Sequence, residues 1–581
     1  MFKSKILSLT SFKVFTIFAF IGLVIYSNSL SGAFMRDDYS QIVNNPTVQD
    51  IKNIPKFFSS STFFGGDPGA LIGRYYKPVT STYFTLVTSI FGLHSFMFHF
   101  FQILLHIINS FLIYKLFEKF FKKPLAIFLG LLFLVHPINT ESVVYISCAQ
   151  EVLFLFFGLT SLLLSTKKTF TNVNFGVIFV TLLLSLLSKE TGILFIPSIL
   201  IYTYLYNRKY FFKFLTLSSC LIIFYLILRF NAIGLYGLYG SSIPSAPIIK
   251  AGFLQRLINI PLIVYTYLTT FLFPKDLVIN QSWIIKTLNV KDFFIPLLFD
   301  LLIFGLIIIE GIIIRRRFNS KFKDYIFFLS IFLLGLGMHI QVIPLDMTVA
   351  ERWFYFPIVG LIGLIGLIIN NFKMSNPLRG KNSNLRLLLF TVALTTIALL
   401  SIRVIYRNYD WKNELTLVSH DIKISRESYH LEQNLANNYF LNNEIEKAIY
   451  HYERSIQIFP YFTNYTNLGT AYRKAKEIDK AEQSYKKALE IGNFYLTYEQ
   501  LASLYYSEKQ DYTMAKEVAQ RGLTYYPNNQ KLLLILALSY YKLDQLENAK
   551  QGALECYKRT KNQDCYKLYY GISNNVPIKG I

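Results

Sequence analysis

Two adjacent carboxylates, Asp37 and Asp38, follow the first hydrophobic run of the chain, in Gly32-Ala33-Phe34-Met35-Arg36-Asp37-Asp38-Tyr39. Charge at the mouth of a membrane helix is costly beside hydrocarbon, so an acidic pair there points to ion binding or to chemistry at the membrane surface. One inward carboxylate is enough for general-base work once burial and a charged neighbour bring its pKa near the working pH. The bland alternative is a solvated helix end or an ion pair with Arg36, although Arg36 neutralises one carboxylate and hardly two. Cations recur in other short polar motifs: Lys189 in Lys189-Glu190, Arg352 in Glu351-Arg352, and Arg74 and Lys77 in the first long loop. On the same membrane face as the acids, they would meet an anionic lipid headgroup. An acid that activates a nucleophile and cations that hold a phosphate leaving group are the parts needed for glycosyl transfer from a polyprenyl phosphate. Both dipeptides are equally readable as ordinary ion pairs inside a helix bundle.

Other polar residues carry less. His106 lies within an apolar run and His136 precedes Pro137; a hydrogen bond to a neighbouring helix and a helix cap are the simpler readings. The 8 histidines form no HxH or HExxH pattern, so no His-built metal site is expected. Cys148, Cys220, Cys556 and Cys565 show no CxxC spacing, which argues against zinc and redox motifs. For Cys556 and Cys565 the sequence is equally compatible with a disulfide in an oxidising compartment and with two free thiols.

The elements that must position these residues are membrane helices. With 53% hydrophobic residues, 54 Phe, 41 Tyr and a mean hydropathy of +0.37, the 581-residue chain is too apolar for a soluble protein. Eleven spans are expected: Phe15–Phe34, His99–Leu116, Leu125–Val135, Val143–Leu164, Phe175–Leu187, Gly192–Leu205, Phe214–Leu228, Phe293–Ile314, Tyr325–Ile340, Phe354–Ile369 and Leu387–Ile402. With the N-terminus inside, the turns bearing Lys119, Lys122 and Lys123, Lys167-Lys168, Arg208-Lys209, Arg315-Arg316-Arg317, and Lys373 with Arg379 and Lys381 all fall on the cytoplasmic side. Asp37-Asp38, His136 with Glu141, Lys189-Glu190 and Glu351-Arg352 then converge on the opposite face. The apolar stretch 257–273 fits this topology when it lies in the outer interface. The outer loop from Arg36 to Ser95 is expected to carry surface helices over Phe57–Phe64 and Val79–Phe91. A net charge of +23 does not call for nucleic acid, because the basic residues of the first half sit in short loops that the positive-inside rule explains.

Composition changes after Trp411: net charge is +20 before it and +3 from Lys412 onward. Leu435-Ala436, Leu468-Gly469, Leu501-Ala502 and Leu536-Ala537 recur at 33, 33 and 35 residues, and Ala448, Ala481, Ala515 and Ala549 at 33, 34 and 34. That is the period of tetratricopeptide repeats, with small residues where paired helices approach and Tyr439, Tyr472, Tyr505 and Tyr540 as large partners. Four repeats over 429–560 are expected, after a membrane domain over 1–411 and a linker helix over 412–428, with 561–581 as a tail. Such an array suits a protein or peptide partner, or serves as a spacer or oligomerisation device.

Taken in order, Phe34-Met35-Arg36-Asp37-Asp38 with Asn45, Tyr76-Lys77-Pro78, Leu105-His106, His136-Pro137 with Thr140-Glu141, Leu187-Ser188-Lys189-Glu190, Ala350-Glu351-Arg352-Trp353-Phe354-Tyr355, and Arg407-Asn408 with Trp411 before the repeats resemble the TMTC proteins. Those are transmembrane and tetratricopeptide-repeat O-mannosyltransferases, related to protein O-mannosyltransferases and to the wider GT-C glycosyltransferases. The resemblance implies an all-α fold, a polytopic GT-C-type domain followed by a repeat solenoid. It also implies inverting transfer, independent of metal or weakly dependent on it, from dolichyl or polyprenyl phosphate mannose to Ser or Thr. Asp37 or Asp38 would be the base; Glu141 would shape the donor or acceptor pocket, and Lys189 and Arg352 would contact the donor phosphate. Arg74, Lys77, His106, His136, Glu190 and Glu351 complete the expected donor and acceptor surface. Ile146-Ser147-Cys148-Ala149-Gln150-Glu151 departs from relatives that carry an arginine before the acidic residue. Rival readings are a transferase acting on a lipid or surface glycan and a non-enzymatic membrane scaffold. No cofactor beyond the lipid-phosphate sugar donor is expected. The Lys-, Asn- and Ile-rich composition favours a prokaryotic plasma membrane over the endoplasmic reticulum, with the repeats outside the cytoplasm.

Overall fold

The computed structural model describes residues 9–64, 75–234, 246–375, 383–425, 427–574 and 576, with side chains left undescribed over 372–387. Among them there is no β-strand, only an isolated bridge between Gln281 and Val349. Two compact units form, Met1–Ser242 with Ala246–Arg426 and, separately, Glu427–Ile581.

Hydrocarbon offers no partner to backbone polar groups, so the Leu-, Ile- and Phe-rich runs of the first unit satisfy them internally as helices. Six described helices are long and apolar enough to span: Ser11–Ser29, Ser95–Phe117, Ile146–Ser165, Arg208–Ile233, Val290–Arg317 and Leu388–Asp410. A seventh crossing arises if Lys123–Leu134 and Pro137–Val144, bent by 48° at their break, count as one. The expected count of eleven also relies on shorter apolar helices such as Asn172–Ser188, Glu190–Tyr206 and Pro357–Asn371, which length alone does not qualify.

Polar residues break the helices where the chemistry is expected. The span expected over Val143–Leu164 is interrupted, because Tyr145 is extended (φ −76°, ψ 114°) between a short helix Thr140–Val144 and the 3-10 turn Ile146–Cys148. Lys189 is likewise extended (φ −160°, ψ 144°) and separates Asn172–Ser188 from the turn Glu190–Leu194. In the outer loop Val79–Phe91 is helical, as Pro78–Phe91, whereas the expected Phe57–Phe64 helix shrinks to Ile54–Phe57. The 257–273 stretch forms the helix Phe253–Leu272, whose Tyr267 hydroxyl donates to the carbonyl of Ala350 at 3.3 Å, beneath the Glu351-Arg352 turn.

The second unit is a stack of helix pairs: Tyr429–Leu441 with Ile445–Ile458, Phe462–Lys474 with Ile478–Ile491, Tyr495–Ser507 with Tyr512–Tyr525, and Gln530–Lys542 with Leu546–Thr560. Ala436, Ala502, Ala537, Ala448, Ala481, Ala515 and Ala549 are all fully buried, as close helix approach requires. Asn443, Lys476, Gln510 and Asp544 each turn the chain within a repeat through left-handed backbone, φ between +51° and +63°. Residues 561–581, expected as a tail, instead supply a helix, Gln563–Ser573, whose Leu568 packs on Ala537 and Ala553. A disulfide joins Cys556 to Cys565 across 5.9 Å between Cα atoms.

Candidate active site

Seven consecutive residues, Tyr145–Glu151, organise the polar face of the first unit. Ser147 donates its N–H (2.8 Å) and its hydroxyl to one oxygen of Asp38, and the N–H of Met35 donates to the other at 2.9 Å. Asp38 is fully buried with both oxygens occupied; burial pushes its pKa up to about 7, against the pull of those three donors. The Asp37 N–H donates to the Tyr145 hydroxyl at 3.1 Å, while its carboxylate is on an exposed residue. Arg36, in left-handed backbone at φ 51°, turns the chain immediately before the two aspartates and approaches Glu414 at 4.0 Å, with neither aspartate as its ion-pair partner among the described residues. The pair thus divides: Asp38 holds the turn and Asp37 is presented.

Further along, Gln150 accepts from the Lys77 ammonium at 2.8 Å and Glu151 pairs with Lys189 at 2.5 Å. Arg352 donates its guanidinium to one oxygen of the buried Glu141 and its N–H to the other at 2.9 Å. Glu190 pairs with Arg229 at 3.0 Å. The sequence neighbours in Lys189-Glu190 and Glu351-Arg352 are therefore not each other's partners, and the two cations expected free for a phosphate are each neutralised by a carboxylate. Lys77 differs, since among the described residues no carboxylate lies within ion-pair distance and its partner is a neutral amide. Burial lowers its pKa, partly countered by Glu190 and Glu151. Glu351 accepts from the N–H of Val278 at 2.5 Å, and its second oxygen has no hydrogen-bond partner among the described residues; burial pushes its pKa up to about 8.

Both histidines placed on the expected donor and acceptor surface instead follow their simpler readings, a hydrogen bond to a neighbouring helix for His106 and a cap for His136. His106 contacts the Tyr355 hydroxyl at 2.7 Å and the Leu134 carbonyl at 3.0 Å, leaving no ring nitrogen for a ligand. His136 caps the turn Pro137–Asn139 through Nδ1, meets the Phe271 carbonyl at 3.0 Å through Nε2, and stacks on the Phe271 ring. Arg74 lies outside the described residues. Tyr145 and Arg229 escaped sequence reading, whereas Ser147 and Gln150 stood in the departing segment Ile146–Glu151 without being read as site residues. Among the described residues no three His, Cys, Asp or Glu are grouped to hold a metal.

A multi-span membrane protein with a charged polar face and a repeat array is thus defined, and comparisons narrow the class. The profile of the family described as Dolichyl-phosphate-mannose-protein mannosyltransferase matches residues 77–232, which include Lys77, Glu141, Gln150, Glu151, Lys189, Glu190 and Arg229, and the tetratricopeptide repeat profile matches 465–492. The relatives are specific: a protein O-mannosyl-transferase of Caenorhabditis elegans is 24% identical over 446 residues, covering 76% of this chain and 62% of its own. TMTC3 of Mus musculus is 22% identical over 503 residues (80% and 53%), and TMTC1 of Mus musculus 33% over 193 residues (30% and 20%). The expected TMTC-like character is borne out in both halves of the molecule. The chain spans about three-fifths of the worm relative and half of mouse TMTC3.

Proposed function

We propose that the chain is an inverting GT-C-type glycosyltransferase that moves mannose from a polyprenyl or dolichyl phosphate to Ser or Thr hydroxyls of proteins on the extracytoplasmic face. The observation that carries this reading is the presentation of Asp37 by a turn that Asp38 and Ser147 fasten, against the segment Tyr145–Glu151 that also holds the Lys77 ammonium through Gln150. The Asp37 carboxylate takes the proton of the acceptor hydroxyl as its oxygen bonds to the anomeric carbon. The bond from that carbon to the phosphate oxygen breaks, and the lipid phosphate leaves as an anion beside the Lys77 ammonium. One displacement inverts the anomeric centre. The Cys556–Cys565 disulfide supports an oxidising compartment for the repeats, which recruit the acceptor protein.

Membranes carrying the wild type or a variant, given radiolabelled polyprenyl phosphate mannose, test the assignment. Asp37→Asn lowers label in protein by about 10²- to 10⁴-fold, the usual share of a general base, with the fold intact. Asp38→Asn lowers label and thermal stability together, because it disturbs the turn. Wild-type transfer by Asp37→Asn would sink the proposal.

A further inference from the structure

His339 lies just past the helix Phe322–Gly337, is 4% exposed, and takes no part in the ion pairs around Tyr145–Glu151. Its Nδ1 stands 2.8 Å from the carbonyl of Gly335. A carbonyl only accepts, so Nδ1 carries the ring hydrogen and Nε2 is left as an acceptor. Among the described residues no protein donor reaches that nitrogen. The ring is neutral: burial first, then the Lys189 and Arg352 cations around it, hold its pKa well below the ordinary histidine value.

The ring is also held in place. It stacks on the Trp353 indole with 5.3 Å between centroids and 18° between planes, and the Arg352 guanidinium lies 5.9 Å from the centroid of the same indole. Past His339 the chain turns through left-handed backbone at Gln341, φ 64°. The Gln341 amide donates to the carbonyls of Met347 at 2.7 Å and Thr348 at 3.0 Å and accepts from the N–H of Leu345 at 2.9 Å, which closes this loop on itself. An imidazole fixed by a stack and a hydrogen bond loses little freedom on meeting a ligand.

What surrounds His339 differs from it in kind. Lys77 gives one ammonium hydrogen to Gln150 and Lys189 gives one to Glu151, so each keeps hydrogens for a ligand. A phosphate, whose oxygens accept, suits those hydrogens; against Nε2 it would set lone pair to lone pair. A hydroxyl, which brings its own hydrogen, suits Nε2. A sugar linked to a phosphate carries both groups a few bonds apart.

We infer that His339 accepts a hydrogen bond from a hydroxyl of the donor sugar while the neighbouring cations hold the phosphate to which that sugar is linked. This rests on the reading that the donor is a lipid-phosphate sugar, and it adds the residue that reads the sugar itself. The Ser or Thr hydroxyl of the acceptor is the other source of the same chemistry. Asp37, which takes that proton, stands with Tyr145, whereas His339 stands with Trp353 and Arg352. A site built to bond one hydroxyl rejects the analogue that lacks it, so His339 makes one position of the sugar ring matter.

The test uses the full chain carrying Asp37→Asn in lipid nanodiscs, so that bound donor is not consumed, and radiolabelled polyprenyl phosphate mannose read by scintillation proximity. Competitors are polyprenyl phosphate without sugar and mannosyl lipids deoxygenated singly at C2, C3, C4 or C6. His339→Phe keeps a ring on Trp353 and removes the nitrogen. It is expected to weaken the mannosyl lipid about three- to tenfold, the yield of one neutral hydrogen bond, and to leave polyprenyl phosphate unchanged, which also reports an intact site. One deoxy donor should bind more weakly than its parent to the chain with His339 and equally well to the Phe variant. His339→Gln, whose side-chain oxygen accepts, should recover part of the loss. Equal losses for both lipids overturn the inference, as does a deoxygenation pattern that His339→Phe leaves unaltered. So does an effect confined, in the chain with Asp37 intact, to the KM of an acceptor peptide, which gives Nε2 to the acceptor hydroxyl. Selective binding by a chain that never transfers sugar refutes the transferase and spares His339, whereas transfer that depends on Asp37 and is indifferent to His339 refutes the inference and spares the transferase.

Discussion

In the membrane unit the carboxylates of the Lys189–Glu151 and Arg352–Glu141 pairs have side chains 1% and 0% exposed, whereas in the repeat unit the Lys447–Glu444 pair is 62% and 41% exposed. The chemical partners are the same, and the energetics are opposite. Buried charges pay a desolvation cost that their attraction only repays with good geometry, so such pairs are weak contributors to net stability and strongly destabilising to break. Exposed pairs are nearly neutral. Charge in the membrane unit is thus held at a cost around a polar site, while charge in the repeat unit decorates an array held by buried alanine and tyrosine. Small residues at a fixed period suffice for the second; the first needs partners chosen one by one.

The largest effect should come from breaking a buried pair on one side only. Glu151→Gln keeps the shape and leaves the Lys189 ammonium without its countercharge. A loss of about 3–5 kcal/mol is expected, read as a lower SDS-unfolding midpoint in mixed micelles. Restoration by a second change, Lys189→Met, is expected if the cost is the orphaned charge; no restoration would mean that the pair is a packing element.

Next in size is the repeat unit's one covalent device. Replacing Cys556 and Cys565 by Ser removes the link across 9 residues that ties Gln563–Ser573 to the preceding helix. Loop-closure entropy sets the loss at about 2–3 kcal/mol for so short a loop, and proteolysis should then release the C-terminal helix first. Resistance equal to the oxidised protein would show that Leu568 packing alone closes the array.

A third test uses pH. Glu351 has its pKa raised to about 8, so the folded state holds its proton more tightly than the unfolded chain does. Its contribution is complete below the ordinary glutamate value of about 4.3 and is lost as pH rises through about 8, at about 1.4 kcal/mol per pH unit in that window. Stability of the membrane unit should therefore fall from pH 5 to pH 8, and Glu351→Gln, which mimics the neutral acid, should flatten the slope. A wild-type slope of the opposite sign would mean that Glu351 is ionised in the fold.

The contrast also explains what the sequence made legible. Repeats at 33 and 34 residues announce themselves because each unit packs on its neighbour, so Ala448, Ala481 and Ala515 are found by spacing alone. The acidic pair was legible by place and not by division of labour, since Asp38 is tied down by Ser147, 109 residues away. Lys189 and Arg352 looked like free cations because Glu151 and Glu141 lie 38 and 211 residues upstream. For His106 the simpler reading, a hydrogen bond to a neighbouring helix, is the one the structure shows, but its partner Tyr355 lies 249 residues on and could not be named from the sequence. Hydropathy marks a span and says nothing of which helices become neighbours, and there the ion pairs are decided. The helix over Gln563–Ser573 was missed for a smaller reason, because a capping helix departs from the repeat pattern that revealed the others.

The smallest expected effect sharpens the comparison most. Lys509 bridges two repeats by donating to Asp479 at 2.7 Å and to Glu482, and by geometry it is the repeat unit's counterpart of Lys189. Its side chain is 29% exposed and that of Asp479 86%, so water solvates the ends of the bridge and salt screens them. Glu482 keeps the Tyr505 hydroxyl at 2.7 Å and Lys486 when Lys509 is cut back, so no buried charge is left alone. Lys509→Ala is expected to cost less than about 1 kcal/mol, shrinking further at high salt, when unfolding midpoints are compared with those of Glu151→Gln in the same micelles. A loss near that of Glu151→Gln would mean that the repeats too depend on their ion pairs, and the division between a charged site and a neutral scaffold would fail.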